Sequence, residues 1–268
     1  MGAILAGYFG TDSQKTLQAR AEASAGEIAA TPGLCQAGRT MGCDDPDALG
    51  WERIEAFLQR DGICGFRLIT TDQAERLRER LSANGFRLDT WDVFLTDRDT
   101  ALAACRPIVE RGLPDGLAEL DAPLTPEGAT TRRIQAMMSA AGVVPFSGSM
   151  LCGDTGPAVT LALCDPSGGI AAGAHAYLPH NVASRHRSHA WGGLVAVDDA
   201  QRGKGLGRLI NAMMVVAAFR DLGASHVYEL VSATNEVSRR MVEACGLRHA
   251  PELVCGLATR EQAARFTR

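Results

Sequence analysis

Within seven residues, Arg202-Gly203-Lys204-Gly205-Leu206-Gly207-Arg208, the chain sets three glycines among three cations, directly after the loop that follows the apolar run Leu194–Val197. Glycine tolerates positive φ and lets a ligand approach the main chain closely. Placed just before a helix, such a turn leaves several backbone N–H groups unpaired at one spot, where the helix dipole also favours negative charge. Arg202, Lys204 and Arg208 add to that field, so the ligand this stretch suits is a phosphate or pyrophosphate. A Walker-type loop is excluded because position 198 is Asp and Lys204 is followed by Gly205 rather than Ser or Thr. A dinucleotide fingerprint is excluded because Arg208 stands where a third glycine is needed, and Ser232 where an acidic residue would end the next strand.

The elements around the turn must hold it in place. Residues 158–179 read as two extended segments joined by Asp165-Pro166-Ser167-Gly168-Gly169, a hairpin. A polar stretch follows, and then Trp191–Val197, short and apolar, suits a buried central strand. From Arg208 onward Leu209, Ile210, Met213, Met214 and Ala217 recur at helical intervals until Asp221-Leu222-Gly223. Residues 225–233 read as a strand, and Asn235 can cap a helix carrying Val237, Met241 and Cys245 on its apolar side, closed by Gly246. Strand, turn, helix, strand, helix implies a crossover and a locally parallel pair of strands. Upstream, a helix is expected from near Thr131, and the Pro and Gly density before it reads as a connection.

A chain of 268 residues is comfortable for two compact units. When Gly85 is aligned with Gly246, residues 65–94 fall on 226–255, with Glu75, Arg78, Ala83, Arg87 and Val93 matching identical residues. The shared order of helix, strand, helix and strand supports an internal duplication in which only the second copy carries the glycine turn. A net charge of −4 points to neither a nucleic-acid nor a membrane-surface protein. The 8 cysteines stand singly, as expected for reduced thiols in a cytoplasmic protein. The apolar run near the N-terminus is too short to span a bilayer, and Ala6 breaks the lipidation pattern that would act on Gly2.

The stretch Arg202 to Gly207 also fits, position by position, the Arg/Gln-x-x-Gly-x-Gly/Ala loop of acyl-CoA binders, and here the chain resembles the GCN5-related N-acetyltransferase (GNAT) superfamily. The resemblance runs from about Thr130 to Thr259 and takes in the strand before the loop and residues 235–247, which look like the family's Asn-x-x-Ala helix. It implies an α/β fold with a mixed, mostly antiparallel central sheet flanked by helices. It also implies that main-chain groups of Val195, Ala196 and Val197 meet the pantetheine arm of acetyl-CoA. Arg202, Gly203, Lys204, Gly205, Leu206 and Gly207, with Arg208, would hold the pyrophosphate, and Asn235 would touch the pantetheine. An amine would then attack the thioester directly, with no metal. Tandem units with one degenerate copy recur in the superfamily. Residues 1–115 are therefore expected to form a degenerate unit, 116–129 a linker and 130–268 the acyltransferase domain.

The resemblance fails at two catalytic positions: Val242 stands where many members carry a general-acid Tyr, and Trp191 where some carry a general-base Glu. Substitutes are sought among nearby residues. Glu229 lies among apolar residues of a strand, where a carboxylate is costly without a partner; it reads as a base or as a structural acceptor for an Arg. His189, two residues before Trp191, and Tyr177, near the hairpin, are further candidates. Tyr228 points to the opposite face from Glu229 and reads as core. Trp191 reads equally as packing or as an aromatic wall for the acceptor. The run His175, His180, His186, His189 matches no familiar metal spacing and reads as a polar border to the acceptor site. The expected activity is transfer of an acetyl group from acetyl-CoA to an amine of a small molecule, peptide or protein, a homo-oligomer being compatible with it. A non-catalytic acyl-CoA sensor and a transferase of longer acyl groups stand as alternatives.

Overall fold

A computed structural model describes residues 7–263; Gly2 and Ala6, on which the lipidation reading rests, lie outside them. Two short helices, α1 (Asp12–Ala23) and α2 (Ala25–Ala30), precede a hairpin of β1 (Leu34–Ala37) and β2 (Thr40–Cys43). The chain continues through α3 (Pro46–Leu49), α4 (Trp51–Asp61), β3 (Ile63–Thr70), α5 (Thr71–Ala83), β4 (Phe86–Asp97) and α6 (Arg98–Val109). After β5 (Ala118–Glu119) come α7 (Ala129–Ala140), α8 (Gly148–Cys152), β6 (Ala158–Cys164), β7 (Ile170–Tyr177) and β8 (His189–Val197). The last elements are α9 (Leu206–Asp221), β9 (His226–Val231), α10 (Glu236–Ala244), β10 (Arg248–His249) and β11 (Leu253–Arg260).

Among the described residues the strands form one mixed, mostly antiparallel sheet in the order β1-β2-β3-β11-β4-β9-β8-β7-β6-β5, with β10 paired to β4. Two pairs are parallel, β2–β3 and β8–β9, and each is joined by a crossover helix, α4 or α9. In α9, ten of sixteen residues are buried, which makes it a core helix rather than an amphipathic surface one. It lies between α6 and a stretch of β7 whose Ala172, Ala174 and Ala176 let the helix come close. A second core gathers Ile54, Phe57 and Leu58 of α4 and Leu77 and Leu81 of α5 against Phe66 and Phe86. The spacing of those helical residues puts them on one face.

The Gly85–Gly246 alignment holds in three dimensions. It matches β3 with β9, α5 with α10, and β4 with β10 and β11 together. The register repeats as well: Val93 of β4 pairs with Leu230 of β9, and their counterparts Val254 and Ile69 pair in the same way. Each unit therefore receives its last strand from the other. The later half of β4 completes the sheet beside β9, and β11 fills the gap between β3 and the first half of β4. The stretch 116–129, expected as a linker, contributes β5 to the sheet beside β6, and between the two copies the chain crosses the sheet in both directions.

Buried hydrogen bonds add to this join. His180 Nδ1 lies 2.6 Å from Asp44 Oδ2, which also accepts from Ser184 Oγ at 2.6 Å. Because a carboxylate accepts, Nδ1 carries the proton, and Nε2 faces the Tyr228 hydroxyl at 3.4 Å. Asn181 Nδ2 donates to the carbonyls of Thr31 and Leu34, at 2.7 and 2.9 Å.

The expected hairpin, strands and helices of the second half are all present. β8 starts at His189, earlier than the apolar run suggested, because pairing with β9 begins there. α9 starts at Leu206, directly after Gly205, whose φ of 77° ends the loop. Val237 departs from expectation: it is 81% exposed, because the buried side of α10 runs through Val242 and Cys245 and turns Val237 toward the glycine loop. No helix among the described residues is long and apolar enough to cross a membrane.

The exchange of strands has a measurable consequence. Ala258 of β11 is fully buried in the core of the first unit. Ala258→Asp is expected to cost at least about 3 kcal/mol in urea unfolding, since it strands a carboxylate among apolar side chains. Hydrogen exchange should then quicken first in β3, far away in sequence, and not in β6 and β7.

Candidate active site

The parallel ladder between β8 and β9 has three rungs, His189–His226, Ala190–Val227 and Trp191–Tyr228, and ends there although both strands continue. A bulge drives the strands apart. On the β7 side the register shifts between Gly173–Ala196 and His175–Gly193, and Leu194 takes a φ of 51°, a strained value for a branched side chain. Main-chain groups from Gly193 to Val197 on the β9 side are thereby left to an opening that an extended arm could enter as a short extra strand. Val195 and Val197 pack toward α9, and Ala196 toward α7.

The opening leads to the glycine turn. Gly203 and Gly205 have φ of 79° and 77°, which only glycine adopts without strain, and the space over both is open. No side chain caps α9, and its first intrahelical bond is Leu209 N–H to Gly205 O. The N–H groups of Leu206, Gly207 and Arg208 therefore precede the first turn without helical partners. They border a cleft of about 340 Å³, whose walls include Val197, Arg202, Val237, Arg240 and Met241. Arg202 is tethered to Asp199 at 2.8 Å, and Lys204 Nζ donates to Gln201 at 2.8 Å. Asn235 stands at the start of α10, where its Oδ1 accepts from Ser238 N–H at 3.0 Å, so this oxygen is already engaged as a helix cap.

The sequence-derived catalytic candidates do not converge. Glu229 sits one residue past the last rung, on the α9 face, fully buried. Burial pushes its carboxyl up to about 7, partly offset by Asn211 Nδ2, which donates to Oε1 at 2.9 Å. The acceptor role suggested for it is thus filled by an amide rather than by an arginine. Tyr177 lies on the other face, and its hydroxyl donates to Gln36 O at 3.0 Å and accepts from Gly38 N–H at 2.9 Å. Burial raises it to about 12, and both bonds tie it to the β1–β2 hairpin. His189 stacks on His226 at 4.5 Å, and burial together with its histidine neighbours lowers it to about 3.

Another group was less legible. On the face opposite α9, Phe146, His175, Tyr177 and Trp191 form an aromatic cluster with ring separations of 5.5–6.0 Å. His175 is the Cα partner of Gly193, the second residue past the rungs. Thr160 Oγ1 donates to Leu151 O at 2.7 Å, so at 2.8 Å it accepts from His175 Nδ1–H, leaving Nε2 as a bare acceptor. Burial lowers His175 to about 3, so the ring is neutral. Two ring nitrogens of the cluster, His175 Nε2 and Trp191 Nε1, are buried without a partner. The signal in the sequence is faint: two large polar residues, His175 and Tyr177, alternate with alanines along β7.

Residues 150–247 match the acetyltransferase (GNAT) family. No protein of curated function matches the sequence. Among solved structures, a GCN5-related N-acetyltransferase from Kribbella flavida is 14% identical, with 83% of this chain and 78% of that one covered and a TM-score of 0.54. A tandem GNAT protein from the clavulanic acid biosynthesis pathway is 12% identical, with coverages of 91% and 89% and a TM-score of 0.55. A Drosophila protein is 14% identical, with coverages of 92% and 89% and a TM-score of 0.57. At these identities the likeness is one of fold, and the fold is that of tandem GNAT proteins.

Glu229 gives the site a pH signature. The folded carboxyl keeps its proton up to about 7, whereas the unperturbed group releases it near 4.5, so the folded state binds more protons in that window. Stability therefore falls as pH rises from 4.5 to 7, by about 3 kcal/mol from this group. Urea unfolding of Glu229→Gln across this range should show a shallower fall than the unmodified protein; parallel curves would mean that the carboxyl ionises in the fold at its ordinary pH.

Proposed function

We propose that this protein is an N-acetyltransferase that moves the acetyl group of acetyl-CoA to the amine of an acceptor. The observation that carries the reading is the ladder that opens after Trp191–Tyr228 in line with a glycine turn at a helix start. An extended pantetheine arm matches the opening, and a pyrophosphate matches the turn. In this reading Val195, Ala196 and Val197 offer main-chain groups to the arm. The N–H groups around Gly203, Gly205 and Gly207, with Arg202, Lys204 and Arg208, hold the phosphates, and Asn235 borders the arm from α10.

The chemistry is a direct displacement. The amine nitrogen bonds to the thioester carbon, the carbon–sulfur bond breaks, the nitrogen loses a proton and the thiolate gains one. Alignment of amine and thioester supplies much of the acceleration. Of the three candidate residues, Glu229 is favoured as proton acceptor because a carboxyl near 7 exchanges protons readily at neutral pH and lies beside the opening. His189 and Tyr177 are less favoured, the first for its low basicity and the second for its engaged hydroxyl. Residues 130–268 act as the acyltransferase unit and 1–115 as its support, in a cytoplasmic setting.

A second reading is a non-catalytic acyl-CoA sensor. It is favoured by Val242, only 1% exposed, where the family's usual acid would stand. One experiment separates the two. Calorimetry with acetyl-CoA and with CoA is expected to give micromolar binding, lost in Gly205→Glu. Thiol release is then followed with amino acids, polyamines and peptide N-termini as acceptors. Release that falls in Glu229→Gln, with affinity retained, supports the enzyme; binding without release from any amine supports the sensor; no binding removes both.

A further inference from the structure

The indole of Trp191 occupies a position that the acyl-CoA reading leaves without a role. It belongs to the last rung of the β8–β9 ladder, and its six-membered ring folds forward over Gly193, so that a Cβ there would run into the ring. Trp191 therefore covers the opposite-α9 face of the point where the strands part. On the α9 face a Cβ on Gly192 would lie 2.7 Å from Met214 Cε and 3.4 Å from Glu229 Cγ. Any group at the closed end of the opening meets Trp191 on one side and Met214 and Glu229 on the other.

The ring is held. Phe146 and Tyr177 pack on it at 5.7 and 5.5 Å, and Phe146 is in turn covered by the Arg39 guanidinium at 5.1 Å. Its Nε1–H is nevertheless buried without an acceptor. The neighbouring bare acceptor, His175 Nε2, is also without a partner, so the two do not satisfy each other. A buried indole N–H normally finds an acceptor, and leaving one unmade costs free energy. A ligand oxygen at the closed end of the opening would supply it.

We propose that Trp191 is the acyl-recognition residue of this protein, with its Nε1–H donating to the thioester oxygen of acetyl-CoA and its ring closing the opening against longer acyl chains. The proposal rests on the acyl-CoA reading of the site. Trp191 stands in place of the family's usual Glu, and here that position serves as a donor to the oxygen on which negative charge builds as the amine attacks, rather than as a base.

The test needs no acceptor. Trp191→Phe keeps a ring and removes the N–H. Calorimetry should show acetyl-CoA bound roughly tenfold more weakly by this variant, the weight of one buried hydrogen bond, with affinity for CoA, which lacks the carbonyl, unchanged. Affinities unchanged from those of the unmodified protein for both ligands, or a parallel loss of both, would overturn the assignment without removing the acyl-CoA reading. Failure of the unmodified protein to bind either ligand would instead remove the reading beneath it. Should the variant not fold, the indole N–H resonances of the unmodified protein decide. It has three tryptophans. The Trp191 peak, identified with Trp51→Phe and Trp91→Phe, should move downfield with acetyl-CoA but not with CoA, and a peak indifferent to both contradicts the proposal.

Discussion

Backbone N–H and C=O groups within a sheet need partners, and between β8 and β9 that supply stops after Trp191 and Tyr228. The features around the candidate site cluster at this interruption. The bulge at Leu194 bends β8 away, Gly192 and Gly193 admit neighbours that a Cβ would exclude, and the alanines of β7 let α9 sit close beneath. Because α9 starts where it does, its unpaired N–H groups face the mouth of the same opening. An apolar arm and an anionic group joined in one ligand fit this combination of a peptide-lined slot and a positive helix end.

The first unit contributes through shared structure. Each half lends its last strand to the other, so β9, which forms one wall of the opening, pairs on its far side with β4. Tyr228, on the final rung, meets His180, which is oriented by Asp44 from the first unit. The hydroxyl of Tyr177 is likewise anchored to the β1–β2 hairpin. Both sides of the last rung are thus braced by residues from the other half of the chain. A unit without a glycine turn accordingly has a mechanical reason to be retained.

Much of this was legible in residue types and spacing. The turn from Arg202 to Gly207 announces itself because only glycine suits the φ values at Gly203 and Gly205, and the start of α10 follows from Asn235, while α9 begins two residues before the expected Arg208. The duplication was visible in six matched positions, since β3 and β9 need the same pattern to sit in equivalent places. The exchange of strands was not, because β11 pairs equally well with any edge of matching apolar alternation, and only the assembled sheet selects its neighbours. The orphaned nitrogens of His175 and Trp191 were also hidden: whether a buried polar atom has a partner depends on residues distant in sequence, here Thr160 and Leu151 for one ring and nothing for the other. Glu229 was recognisable as a misplaced carboxylate, while its partner Asn211 lies on another element and carries no charge to signal the pairing.

Amide hydrogen exchange with and without acetyl-CoA reads whether one acyl-CoA occupies both the opening and the glycine turn. A ligand spanning both places slows exchange in two separate segments, residues 193–197 and 203–208, with β1 to β3 unchanged. Protection confined to the turn would mean that an anion binds there without an arm in the sheet, and protection in neither segment would mean that acyl-CoA binds at neither place.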